Sequence, residues 1–270
     1  MCHALCKCVA HDSTLDMNLF ALSDLKALQE AHASDPAYDL ARQHTRNQLV
    51  WLHERIYGEM RARRWDIYFR PEWSLSPATV TDATPIVDAL RLRYTKAEYV
   101  ARLMQKQFGG PLLQWDDCAW LGVGIDARGV FVEWNIPARA HFDAQNFFNK
   151  VMQGASDKRT LRQILAELGG EGTLTLRARG EEILHLRCAR LVDLNVLNPT
   201  FEKFIPGQHQ WNIALRFLVT DNRLQASSAP DELLYRLAQL YGLHQFAAWA
   251  PRNNYLSAPR IESSTGIAPQ

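Results

Sequence analysis

The sequence predicts an α+β protein: an N-terminal helical hairpin, then a mainly antiparallel sheet of about seven strands with interspersed helices. Three observations lead there. Apolar residues recur every three or four positions in the first quarter of the chain. Period-two stretches follow, several joined by short Gly-containing turns. Further helical stretches stand between and after those strands, an order that suits an antiparallel sheet with helices on one face.

The first helices come from spacing and end signals. A short one is expected over about Ser23 to Ala33. A long one is expected from Pro36 to Arg64, with Asp35 as cap and Pro36 in the first turn. Its core-facing stripe is Tyr38, Ala41, Thr45, Leu49, Leu52, Ile56 and Met60. Arg61, Arg63 and Arg64 suit the negative end of its dipole. Weaker strands are expected over Trp65–Arg70 and Ala89–Tyr94. Thr95-Lys96-Ala97-Glu98 then reads as a capping box for a helix with Tyr99, Val100, Leu103 and Met104 on its apolar face. Gly109-Gly110-Pro111 stops it.

The centre of the chain reads as hairpins. Leu121–Ile125 turns through Asp126-Ala127-Arg128-Gly129 into a strand with Val130, Val132, Trp134 and Ile136 on one side. Ser156 opens a helix that Gly169-Gly170 closes. Leu174, Leu176 and Ala178 pair with Leu184, Leu186 and Cys188 across Gly180. Trp211, Ile213, Leu215, Phe217 and Val219 form the longest alternation. Ser228-Ala229-Pro230-Asp231 opens the last helix, which Gly242 is expected to end.

Composition bounds the function. In 270 residues, 47% hydrophobic and 22% charged, a sizeable core can form. The organisation expected is a flexible leader over residues 1–16, one α+β domain over 17–256 and a flexible tail over 257–270. No apolar run reaches the ~18 residues a membrane helix needs, so no membrane partner is expected. Five cysteines, an odd number, argue against a disulfide framework and for a reducing, cytoplasmic compartment. A net charge of +1 excludes a global field that gathers polyanions.

Four groups of residues are candidates for chemistry. Cys2, His3, Cys6, Cys8 and His11 are soft ligands, but Cys6-x-Cys8 is a poor zinc spacing and no second pair follows. No metal site and no cofactor are expected. Asp117, Asp126 and Glu133, beside the central hairpin, are the carboxylates a metal-dependent nuclease or other hydrolase would use. That pattern asks for Glu-x-Lys, and the strand reads Glu133-Trp134-Asn135. Alternation places Arg91, Arg93, Asn135, His185, Arg187, Asn212 and Arg216, with Glu133 and Phe131, on the strand sides away from the core. Such a face suits an anionic or single-stranded ligand, or a protein partner. Trp249, Arg252 and Tyr255 flank a rigid turn and read as a docking segment for another chain or for the protein's own core.

The phosphate-loop, dinucleotide, nucleophile-elbow and zinc-protease motifs are missing. The leading expectation is therefore a non-enzymatic binding or assembly subunit that contacts nucleic acid or a protein partner through the Arg/Asn/His face. A carboxylate-based nuclease and a small-molecule-binding protein are the alternatives.

Overall fold

The computed structural model of the chain describes residues 18–29, 32, 35–69, 77–78, 86–87, 89–109 and 115–256. The expected leader and tail, and with them the N-terminal Cys/His group, lie outside the described residues. The elements run α1 (Leu22–Ala27), α2 (Asp39–Ala62), β1 (Ile67–Phe69), β2 (Pro77–Ala78), β3 (Ile86–Val87), β4 (Ala89–Lys96), α3 (Glu98–Phe108), β5 (Trp120–Asp126) and β6 (Gly129–Ile136). They continue as α4 (His141–Gln153), α5 (Ala155–Glu167), β7 (Gly172–Ala178), β8 (Glu181–Arg187), α6 (Leu194–Lys203), β9 (His209–Phe217) and α7 (Ala229–Ala247).

The helical hairpin forms, with α1 shorter than the expected Ser23–Ala33 and with Tyr38 and Ala41 of the expected stripe only partly buried. Thr45, Leu49, Leu52, Ile56 and Met60 of α2 are buried. A 3-10 turn over Pro36–Tyr38 precedes α2, and Asp35 caps that turn by accepting from the Ala37 N–H at 2.9 Å. Arg42 fastens the connection, donating to the carbonyls of His32 at 2.8 Å and Asp35 at 2.7 Å.

The sheet is antiparallel throughout, in the order β1-β4-β5-β6-β9-β7-β8. Where the sequence predicts about seven strands, six full ones carry it. The seventh segment, Ile67–Phe69, is a three-residue addition to the β4 edge. Along each strand, alternate residues face opposite sides. One side carries Leu90, Leu92, Leu121, Val123, Val130, Val132, Ile213, Leu215, Leu174 and Leu176, all buried in the main core. Buried residues of α2 and α7 join the same cluster, so the helices cover this side. Phe147 of α4 sits in its aromatic centre, 5.6 Å from Trp134, 5.1 Å from Phe201 and 5.4 Å from Trp211 between ring centroids. Fully burying side chains of this size stabilises by about 1.5–3 kcal/mol each, which is why the register cannot slip.

Two local expectations fail, each to a tertiary cause, and two helices appear that were not expected. The capping box at Thr95 does not form. Thr95 and Lys96 end β4, and α3 begins at Glu98 with Ala97 as cap residue. β4 has partners on both sides there, Thr95 opposite Tyr68 and Trp120, and the ladder takes the backbone that the helix would need. Gly242 does not end the last helix. Buried Leu243, Phe246 and Ala247 carry α7 one further turn, outweighing the ~1 kcal/mol cost of a helical glycine. Helices α4 and α6 were not expected from the sequence. In α6 the Asn-rich start and internal Pro199 hide a helix that buries Leu197 and Phe201.

Candidate functional site

Cross-strand partners in an antiparallel ladder point to the same side, so the register defines what the second face of the sheet holds. One row is Arg91, Gly124, Phe131 and Arg216. The next is Arg93, Gly122, Glu133, Ala214, Thr173 and Arg187. The third is Thr95, Trp120, Asn135, Asn212, Thr175 and His185. All seven residues assigned to a binding face thus lie on one side of one sheet, opposite the helices. The third row spans six strands, about 24 Å at the usual strand spacing.

Two glycines give this face its relief. A Cβ on Gly124 would lie 2.6 Å from Phe131 Cζ, and one on Gly122 would lie 2.9 Å from Trp120 Cζ3. The two rings therefore lie flat over bare backbone. Guanidinium groups cover the rings in turn. Arg91 and Arg216 stand 5.3 and 5.1 Å from the Phe131 centroid, and Arg93 stands 4.6 Å from that of Trp120.

These three arginines are also ion-paired. Arg91 Nε donates to Glu133 at 3.0 Å, and Asn212 donates to the other Glu133 oxygen at 2.8 Å. Arg216 grips both oxygens of Asp126, at 2.9 and 2.8 Å. Arg93 donates to Asp116 at 3.0 Å. Side-chain exposure is only 17% for Arg91 and 16% for Arg93, against 33% for Arg216. Burial holds the Arg93 guanidinium below its ordinary pKa, with Asp116 acting the other way. The β4–β6 half of the face is therefore a neutralised, tightly bonded surface.

The β7–β8 end is different. His185 and Arg187 are exposed there, and His185 sits 3.1 Å from Thr175 Oγ1 and 3.7 Å from Glu182. Arg177 and Gln210 are cross-strand partners on the same face. Both also line a recess of about 500 Å³ with Arg179, Gln208, Gly180 and Gly207. Gly180 and Gly207, at φ 86 and 82, let the two turns close around it. Among the described residues no carboxylate lines this recess. The sequence reading missed Arg177, Arg179, Gln208 and Gln210. The signal was present in Arg177, which shares the alternation of Thr173 and Thr175.

The candidate carboxylates are not gathered into a cluster. Asp126 sits opposite Gly129, four positions along β6 from Glu133, roughly 13 Å at the usual rise. Each is held by a different arginine, and Asp117 pairs with Arg139 at 3.0 Å. Among the described residues no three His, Cys, Asp or Glu side chains are grouped to hold a metal ion. No described helix is long and apolar enough to cross a membrane. Trp249 is buried, and Tyr255 folds back onto α4, its N–H donating to Asn146 at 2.7 Å and its carbonyl accepting from Asn149 at 2.9 Å. Arg252 is exposed.

A second polar centre lies inside the molecule. The Asp143 carboxylate is fully buried and accepts from Lys96 Nζ, from the Trp249 N–H at 2.7 Å and from the Ala119 N–H at 2.7 Å. Lys96 Nζ also donates to the Trp249 carbonyl at 2.7 Å. One carboxylate thus joins β4, α4, the approach to β5 and the chain beyond α7. The sequence matches no protein-family model, and no curated protein matches it.

Proposed function

We propose that the protein is a non-enzymatic binding module for single-stranded nucleic acid, held with its phosphates at the exposed β7–β8 end of the second sheet face. The observation that carries this reading is the recess of Arg177, Arg179, Gln208 and Gln210, lined by no carboxylate among the described residues, at the end of that face. Planar guanidinium groups and amide N–H groups suit phosphate oxygens, and the two close turns bring backbone towards the same space. Exposed Arg187 continues the cationic edge.

The division of the face sets the roles. Arg91, Arg93 and Arg216 spend their charge on Glu133, Asp116 and Asp126, so they supply a flat hydrogen-bonding floor rather than a field. Arg216, a third exposed and stacked on Phe131, is the guanidinium plane best placed to receive a base.

Fluorescence anisotropy with a labelled oligothymidylate and oligouridylate of about 20 nucleotides tests this. Saturable binding that weakens with salt is expected, with each of Arg177→Ala, Arg179→Ala and Arg187→Ala lowering the salt slope by about one unit. Equal affinity for duplex, or no saturable binding at physiological salt, refutes the reading.

A further inference from the structure

We infer that the recess at the β7–β8 end takes the phosphomonoester at the end of a nucleic-acid strand, so that the protein binds strand termini in preference to strand interiors. This rests on the nucleic-acid reading above and narrows its ligand. The recess holds about 500 Å³, room for one nucleotide-sized group. Three connections line it: Ala138 from the link between β6 and α4, Arg179 from the β7–β8 turn, and Gln208 from the link before β9. Arg177 and Gln210, opposite each other on β7 and β9, complete it. A strand interior needs a channel open at two ends, because its chain both enters and leaves. A recess bounded by connections on three sides suits a chain that stops.

Charge selects the same group. Arg91, Arg93 and Arg216 are each held by a carboxylate, whereas among the described residues neither Arg177 nor Arg179 forms an ion pair. Glu182, the cross-strand partner of Arg177, stands 3.7 Å from His185 and lies outside the lining. Two unpaired guanidinium groups on one recess repel each other unless an anion lies between them. A phosphodiester inside a strand brings one negative charge. A terminal phosphomonoester brings about 1.5 to 2 at pH 7 and offers three acceptor oxygens.

The donors match those oxygens. The two planar guanidinium groups can each grip a pair of them, and the amide of exposed Gln208 adds a neutral donor. Gln210 Nε2 donates instead to Asn135 at 3.0 Å, so that side chain serves as floor. Among the described residues no aromatic ring lines the recess, so the lining reads the phosphate and leaves the base unselected.

The test uses the full chain and unlabelled oligothymidylates of about 20 nucleotides, competing against an internally labelled strand in fluorescence anisotropy. Four competitors are compared: a 5′-phosphorylated strand, a 3′-phosphorylated strand, a strand with hydroxyls at both ends, and a hydroxyl-ended strand one nucleotide longer. The last adds a diester charge without a monoester. At least one phosphorylated strand should bind about tenfold or more tighter than both hydroxyl-ended strands. Gln208→Glu places a carboxylate in the recess from an exposed position, and Arg179→Asn removes a charge at a left-handed backbone position, φ 51, that asparagine tolerates. Each variant should bring the phosphorylated strand to within about twofold of the hydroxyl-ended one, with little change in melting temperature. Equal binding of all four strands, or a phosphate preference that survives both variants, would overturn the inference while leaving strand binding itself in place. Absence of saturable binding by every strand would overturn the nucleic-acid reading and this inference together.

Discussion

Replacing Asp143 by alanine removes a buried anion that four segments share. Its two oxygens receive Lys96 Nζ, the Trp249 N–H and the Ala119 N–H. Both members of the ion pair are buried, at 0% for the Asp143 side chain and 4% for Lys96. Breaking a buried pair costs about 3–5 kcal/mol, chiefly because the surviving charge is left uncompensated. The melting temperature should fall by roughly 6–10 °C for a chain of this size. Two effects contribute, and a double-mutant cycle with Lys96→Met separates them. The double variant removes the stranded charge but still leaves the Ala119 and Trp249 N–H groups unmet. It should therefore recover about half of the loss and show a coupling of at least about 2 kcal/mol. Urea unfolding of the four proteins measures this. Additive losses, with coupling below about 0.5 kcal/mol, would refute the charge-pair account.

Three further outcomes follow from the packing. Gly124→Ala would bring a Cβ within 2.5 Å of the Leu90 carbonyl and 2.6 Å of Phe131, so it should cost about 1–3 kcal/mol in urea unfolding and weaken oligonucleotide binding by displacing the ring beneath Arg91 and Arg216. Thr95 Oγ1 donates to the Ala119 carbonyl at 2.9 Å, so Thr95→Val should cost about 1 kcal/mol while Thr95→Ser keeps the bond, and equal urea midpoints for the two variants would contradict it. His244 is held neutral in the folded state with its pKa pushed down to about 4 from an ordinary 6.5. The unfolded chain therefore binds the extra proton first, so stability is fully present above pH 6.5 and falls as the pH drops towards 4, by up to about 3 kcal/mol. His244→Leu should flatten that part of a stability–pH profile, and an unchanged slope would contradict the assignment.

What the sequence revealed and what it hid divide along sequence separation. The stripe from Thr45 to Met60 and the turn from Asp126 to Gly129 are written in neighbouring residues, and both form as read. The polar face was legible because period-two alternation fixes a side chain's side without knowledge of its neighbours. The neutralisation of that face was not legible, since Arg216 meets Asp126 from 90 positions away. The Lys96–Asp143 pair spans 47 positions, and the recess is lined by residues from Ala138 to Gln210. The helix signal ahead of Glu98 was locally sound, yet Thr95 and Lys96 answer to strands on both sides. Helix α4 carried a usable signal, Ala140, Ala144, Phe147 and Val151, all buried at helical spacing.

The central claim is that phosphates bind at the β7–β8 end of the second sheet face, and the salt dependence of oligonucleotide binding by Arg177→Ala tests it most directly. Arg177 lies on the face, lines the recess and makes no part of the Glu133, Asp126 and Asp116 pairs. The account predicts weaker binding than wild type, a log–log salt slope lower by about one unit, and an unfolding free energy changed by no more than the ~0.5 kcal/mol usual for surface sites. An affinity and slope identical to wild type would contradict it, as would the absence of saturable binding by the wild-type chain.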